Sequence, residues 1–216
     1  FANIEDIEIG AAKAGEKKVR YPQWQLDNFK KVLKDLARAG IKIPIAHAAN
    51  SAATLLYPET HFTMVRPGIA LYGLWPSPSV EKVFLRKNPD LNLQPALAWR
   101  TKISQIKKVP KGSFIGYGCT YKAKRASKIA ILPIGYYDGY DRGFSNKSHV
   151  LIAGKKAPIR GRVCMNITMA DVTDIPEARL EGTATLLGKD KNAEITAEYL
   201  SSLIDTINYE ITTRIR

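Results

Sequence analysis

The 216-residue sequence predicts an α/β plus β chain. Residues 1–95 should form the last strands of a partial (β/α) barrel segment and a linker. Residues 96–216 should form a mainly antiparallel C-terminal β domain or barrel. Three observations carry this expectation. Strand-like and helix-like apolar patterns alternate in the first part; a polar, proline-rich stretch, residues 75–95, follows; after Ala96, short apolar runs and turn residues replace the alternation.

The elements follow in order. "FANIE" is a short apolar strand. The stretch from Gln23 to Ala39 sets Trp24, Leu26, Phe29, Val32, Leu33 and Leu36 on one helical face, and Gly40 is its stop. "IKIPIAHAA" is apolar along most of its length, as a buried parallel strand is. "NSAATLLY" opens a short helix with Asn50 or Ser51 as N-cap, and Pro58 ends it. "FTMVRPGIALYG" supplies a third strand and a turn. Such a β-α-β-α-β order implies parallel strands joined by crossover helices. Three parallel strands cannot close a barrel and leave a bare edge, so the first part is expected to be incomplete by itself. A chain opening on Phe1 rather than Met fits a piece of something longer. The lysine-rich segment Asp6 to Tyr21 matches no element.

In the second part, "ALAWRTKISQIKKV", "SKIAILPIG", "HVLIAG", "APIRGRVCMNITMADV" and "GTATLLG" are strands. "AGKKAP" and "GKDKNAEI" are hairpin connections, and one helix is expected from Ala197 to Thr206.

Composition narrows the function classes. Hydrophobic content of 45% and charged content of 25% describe an ordinary globular chain. No apolar run approaches the ~18 residues of a membrane span. Two cysteines, Cys119 and Cys164, suggest neither a disulfide framework nor a zinc site, and a reduced cytoplasmic setting follows. Net charge is +13, and residues 100–128 hold nine Lys or Arg and no Asp or Glu. Aromatic and basic residues are not interleaved there as on a stacking platform, so a solvated lysine-rich surface is preferred to a nucleic-acid site.

Five constellations could carry chemistry. In "HAANSAA", Asn50 and Ser51 begin a helix after a parallel strand, where free N–H groups suit a phosphate; on these residues alone plain capping is the preferred reading. In "VRPGIALYG", Arg66 ends an apolar strand and Gly68 permits close backbone approach, with a surface ion pair as the bland alternative. "IGYGCTY" sets Tyr117 between Gly116 and Gly118. "LPIGYYDGYDRG" sets Tyr136, Tyr137 and Tyr140 around a glycine-rich loop. Tyrosines in a β domain ordinarily pack with the hydroxyl at the surface. In "GRVCMN", Cys164 and Met165 are ordinarily core. No metal site, catalytic serine elbow or phosphate-binding glycine loop is present.

In this order, and followed by "TINYEITTRI", these five motifs resemble the alanine racemase family over nearly the whole chain. The resemblance implies an N-terminal α/β barrel, a C-terminal β domain, and pyridoxal 5′-phosphate (PLP) held by a barrel lysine. It implies racemisation of L- and D-alanine, which supplies D-alanine for peptidoglycan, in a cytoplasmic homodimer whose active site is shared between subunits. Carried onto this chain, Ser51 holds the PLP phosphate, with the backbone of Gly68 and Ile69 nearby. Arg66 donates to the pyridine nitrogen and His47 supports it. Tyr117 is the acid/base on the L-alanine face; a phenol needs nearby positive charge to act as a base near neutral pH. Tyr136 and Met165 line the substrate pocket, Met165 through its backbone N–H. Gly116 and Gly118 are expected to clear space for substrate and cofactor. No nucleic-acid or membrane partner is implied.

The chain also departs from the family pattern. The lysine motif near the start of the barrel and the upstream arginine that meets the substrate carboxylate are absent, and Asn166 replaces an aspartate. The chain by itself is therefore expected to be inactive. Two other readings stand beside this one: a non-catalytic binding or dimerisation module, and a racemase of another amino acid.

Overall fold

The computed structural model describes residues 20–216; the "FANIE" strand and most of the Asp6–Tyr21 segment lie outside the described residues. The chain divides into two compact units, residues 1–96 and 97–216.

The first unit begins with helix α1, Arg20–Arg38. Leu26 is buried, and Phe29, Leu33 and Leu36 are half-buried at spacings of three and four, so the apolar stripe points inward. Trp24 and Val32, expected on the same face, are more than half exposed. Gly40 ends the helix in a left-handed conformation, φ 74°; its N–H reaches the Ala37 carbonyl at 3.1 Å and the Ile41 N–H reaches Leu36 at 2.9 Å. Helix α2, Ser51–Leu56, is capped by Asn50, whose side chain accepts from the Ala53 N–H at 3.0 Å. Leu26, Ala48, Ala49 and Ala53 form a small core, joined by the Phe29–Phe62 ring pair at 5.0 Å.

Two expectations are corrected here. The segments "IKIPIAHAA" and "FTMVRPGIALYG" do not form ladder strands; they share one isolated parallel bridge, His47 to Met64. Their pairing is nonetheless in register. Residues 46, 47, 49 and 51 meet 63, 64, 66 and 68 at a constant offset of 17, through Thr63, Arg66 and Gly68. A parallel pair with no further neighbour among the described residues of its unit makes too few evenly spaced bonds to become a ladder. Ile41, Ile43 and Ile45, expected to be buried, are exposed as a consequence. The stretch expected to be a linker holds helix α3, Pro78–Lys87, whose N-cap Ser77 accepts from the Val80 N–H at 3.3 Å and whose first position is Pro78. Trp75, Phe84 and the fully buried Val80 pack it against α2 residues. Of the prolines that suggested a linker, Pro76 and Pro78 flank the helix's N-cap and Pro89 follows its C-cap Asn88.

The second unit is built from antiparallel sheets. Strands β1 (Trp99–Lys102), β6 (His149–Ile152), β7 (Lys155–Pro158), β9 (Thr183–Asp190) and β10 (Ala193–Ile195) form one sheet, in the order β1-β9-β6-β7 with β10 also on β9. Strands β2 (Gln105–Val109), β5 (Ser127–Leu132) and β8 (Thr168–Asp171) form a second sheet in that order. Strands β3 (Phe114–Ile115) and β4 (Tyr121–Lys122) form a hairpin. The β6–β7 turn is Ala153–Gly154, both at positive φ, which matches the right-handed twist of a two-residue hairpin. The buried residues of this unit include Ile103, Leu132, Tyr140, Phe144, Leu151 and Leu186. The expected helix is α4, Ala197–Leu203, and a further one, α5, Asn208–Thr213, follows it.

Candidate functional site

In the first unit the parallel pairing sets residues 47–51 beside residues 64–70. Ser51, at the first position of α2, is 4% exposed. Its Oγ accepts from the backbone N–H of Gly68 at 2.8 Å and of Ala70 at 3.3 Å. With both lone pairs engaged, the hydroxyl keeps its proton to donate. The backbone N–H of Arg66 donates to the Ala49 carbonyl at 2.9 Å, so the arginine is set by the same register. Ile69 is buried, His47 and Arg66 are half-buried, and Gly68 faces solvent. Added at Gly68, a Cβ would sit 3.9 Å from Ser51 Oγ, an ordinary contact. His47, Ser51, Arg66, Gly68 and Ile69, drawn from two sequence motifs, thus lie along one ribbon.

In the second unit three loops converge. Tyr117 begins a 3₁₀ turn, Tyr117–Cys119, between the strands of the β3–β4 hairpin and is 76% exposed. Gly116 and Gly118 are left-handed, at φ 74° and 70°. A Cβ on Gly116 would lie 2.7 Å from Met169 Cε, and one on Gly118 would lie 3.2 Å from the guanidinium carbon of Arg162. The glycines therefore permit the turn and the close approach of Met169 and Arg162. The space beside them, expected to be clear for substrate and cofactor, is filled by these side chains. A second loop, residues 135–143, is bonded to the third, residues 161–166. The backbone N–H groups of Tyr136 and Tyr137 donate to the carbonyls of Cys164 and Met165, each at 3.0 Å. Gly135 is required there, because a Cβ would lie 2.1 Å from the Cys164 carbonyl oxygen. Tyr136 and Met165 are exposed. The core position that is ordinary for a methionine does not hold for Met165, which stands in the loop before β8.

Tyr140 turns the other way: its ring is fully buried between Trp99 and Phe144, and its hydroxyl donates to Ser148 Oγ at 3.2 Å. Burial holds that phenol well above its usual range. Burial also pushes the Cys164 thiol up, opposed by the Arg142 guanidinium and by the Tyr117 backbone N–H. The thiol donates to the Arg162 carbonyl of its own loop at 3.4 Å.

Several contributors were not singled out from the sequence. Arg162 brings positive charge to the residue next to Tyr117, although it stands inside the quoted "GRVCMN" motif. Asn146 accepts from Gly161 N–H at 2.7 Å and donates to Thr120 Oγ1 at 3.3 Å, bracing two loops. Its partners lie 15 and 26 residues away, so no local pattern announces it. Its φ of 58° is the kind of backbone that asparagine tolerates. Arg160 sits 4.7 Å over the Tyr121 ring and faces Asp171, anchoring the end of the hairpin. Among the described residues no cluster of His, Cys, Asp and Glu could hold a metal ion, and no helix is long and apolar enough to cross a membrane.

Comparison with known proteins bears on the family of the chain. Residues 96–216 match the family "Alanine racemase, C-terminal domain", and residues 10–76 match "Alanine racemase, N-terminal domain". The alanine racemase of Halothermothrix orenii is 46% identical over 208 residues, 96% of this chain and 53% of that protein. That of Leptospira interrogans is 44% identical over 216 residues, 100% of this chain and 53% of that protein. Among solved structures, alanine racemase from Bacillus anthracis with bound L-Ala-P superposes with a TM-score of 0.81 at 38% identity, covering 96% of this chain and 51% of that one. The Clostridium difficile enzyme in complex with cycloserine gives 0.82 at 35% identity, covering 100% and 52%. The chain spans about half the length of the relatives it matches. On five ordered motifs, two family matches and this degree of identity, the chain belongs to the alanine racemase family.

Proposed function

We propose that this chain forms the part of a PLP-dependent alanine racemase that carries the tyrosine acid/base and one side of the cofactor site. The observation that carries the reading is the convergence of the 116–119, 135–137 and 161–166 loops. Backbone bonds join the last two, Arg162 lies against Gly118 of the first, and Tyr117, Tyr136 and Met165 stay exposed. The cofactor, when bound, withdraws electrons from the α-carbon of the amino acid and makes its proton removable.

The residues of the first unit suit that group. Ser51 has its oxygen saturated by two N–H donors and its proton left to donate to a phosphate, with the Gly68–Ile69 backbone beside it. Arg66 donates to the pyridine nitrogen while keeping its own charge, because a guanidinium stays protonated at ordinary pH. His47 supports it from the same ribbon. Tyr117 takes or returns the proton on one face of the α-carbon, and a lysine of the N-terminal half serves the other. The Met165 backbone N–H meets the substrate carboxylate, and Tyr136 walls the pocket. The setting is a cytoplasmic homodimer in which one subunit's β domain completes the other's barrel site. The product is D-alanine for the cell wall.

A chimera tests this reading. This chain replaces the matching half of the Halothermothrix orenii enzyme, which supplies the lysine-bearing segment. The chimera should bind PLP and interconvert L- and D-alanine. Tyr117→Phe should lower kcat/KM by roughly 100-fold or more, the usual worth of a positioned acid/base. Full activity of Tyr117→Phe in both directions would falsify the role assigned to Tyr117. An inactive but folded, PLP-binding chimera would favour the non-catalytic module.

A further inference from the structure

The loop that carries Tyr136 is fixed on two sides. Its inner edge is bonded to the Cys164 and Met165 carbonyls. Its outer edge meets residues 214–216, which follow α5. Gly139 stands at φ 104°, and a Cβ there would lie 2.3 Å from the Arg214 carbonyl oxygen. The Arg216 N–H donates to the Asp138 carbonyl at 3.2 Å, and the Arg216 guanidinium lies 5.1 Å over the Tyr137 ring. Arg214 then joins two elements through one guanidinium. Its Nη1 donates to Asp141 Oδ2 at 2.9 Å, and its Nη2 faces Glu210 Oε2 of α5 at 3.1 Å. Each carboxylate is itself held: Asp141 Oδ1 accepts from the Gly143 N–H at 2.7 Å, and Glu210 Oε2 accepts from Thr206 Oγ1.

We propose that Arg214 is a positioning residue: by clipping Asp141 to Glu210 it sets the height of the 135–143 loop and hence the placement of Tyr136. The proposal rests on the reading of Tyr136 as a wall of the alanine pocket. The three side chains are 30–45% exposed, so the clip adds little to global stability, as exposed ion pairs do. Its effect is local. An arginine fork spans two carboxylates at once, whereas a lysine ammonium is a single point charge.

The test has two arms. In the first, backbone hydrogen exchange is followed in this 216-residue chain. Arg214→Ala should speed exchange at Tyr136, Tyr137 and Tyr140 by about tenfold and leave Ile129–Leu132 unchanged. Asp141→Asn should do the same, and the double variant should add nothing. Arg214→Lys should recover part of the protection. In the second arm, the chimera carrying Arg214→Ala should show a KM for alanine raised about tenfold with kcat held within about twofold. Unchanged loop exchange in Arg214→Ala, or equal loosening of the strands, overturns the clip. An altered kcat with unaltered KM overturns its link to Tyr136. If the unmodified chimera does not racemise alanine, the reading of the pocket fails, and the exchange arm still decides whether Arg214 holds the loop.

Discussion

Ile43 and Ile129 each stand in a segment whose apolar pattern predicts a strand, yet they end differently. In the first unit Ile43 is 43% exposed beside Ile41 and Ile45; in the second, Ile129 is 3% exposed in the middle strand of the β2-β5-β8 sheet. The two segments have similar residues and different neighbours. Strand β5 is paired on both sides, with β2 and with β8. Among the described residues, 41–49 pair only with the 62–70 segment, through one isolated bridge and a few bonds in its register. The difference teaches that an apolar run becomes a buried strand only when its unit supplies a partner on each edge and a layer on its face.

The largest expected effect probes this contrast directly. Ile129→Ala should cost about 3 kcal/mol, while Ile43→Ala should cost less than about 0.5 kcal/mol, both read from denaturation midpoints. Equal costs would mean that the 41–49 segment is buried in solution and would erase the contrast. A second variant asks how tightly the second unit is closed at its site. Gly135→Ala should destabilise by about 2–3 kcal/mol, because its methyl must displace the Cys164 and Met165 carbonyls. At Gly68, by contrast, an alanine meets only Ser51 Oγ at 3.9 Å and should be tolerated within about 1 kcal/mol. The comparison breaks if Gly68→Ala is the more damaging of the two.

A smaller effect is expected at the cap of α2. Asn50→Ala removes the 3.0 Å acceptor for the Ala53 N–H and should cost about 1 kcal/mol, with Asn50→Asp close to unmodified. No loss in Asn50→Ala would show that the helix start is held by tertiary packing alone.

The smallest effect is a pH dependence confined to the second unit. His149 on β6 bonds Tyr199 of α4, Nδ1 to hydroxyl at 2.9 Å. Burial, and then the Lys156 charge, holds its pKa below the usual imidazole value. The unfolded chain therefore takes up this proton before the folded one does. The associated stability is present above about pH 6.5, the unfolded value, and is lost as pH falls through the lower folded value. His149→Gln should flatten that part of a stability-versus-pH curve. An identical curve in the variant removes His149 from the account.

Much of the second unit was legible. Alternating apolar runs separated by glycine, lysine and asparagine turns marked β1, β2, β5, β6 and β9, because antiparallel neighbours joined by short connections write their pairing into local sequence. Less was legible where contacts are distant. Ser77 before Pro78 is a helix start, yet it sits in a proline-rich stretch that also suits a linker. Helix α5 was hidden inside a motif read for its residues rather than its period.

The sequence by itself determined the family and the identity of the exposed candidates. The order of "HAANSAA", "VRPGIALYG", "IGYGCTY", "LPIGYYDGYDRG" and "GRVCMN" does not depend on how the chain folds. Only the tertiary structure decided what surrounds them. Ser51 saturated by Gly68 and Ala70, Arg162 against Gly118, Met169 against Gly116, and Arg214 between Asp141 and Glu210 are all meetings in space. Most of them join residues far apart in the chain. Local periodicity reports which face of an element is apolar, and it holds no record of which distant loop will come to rest against it.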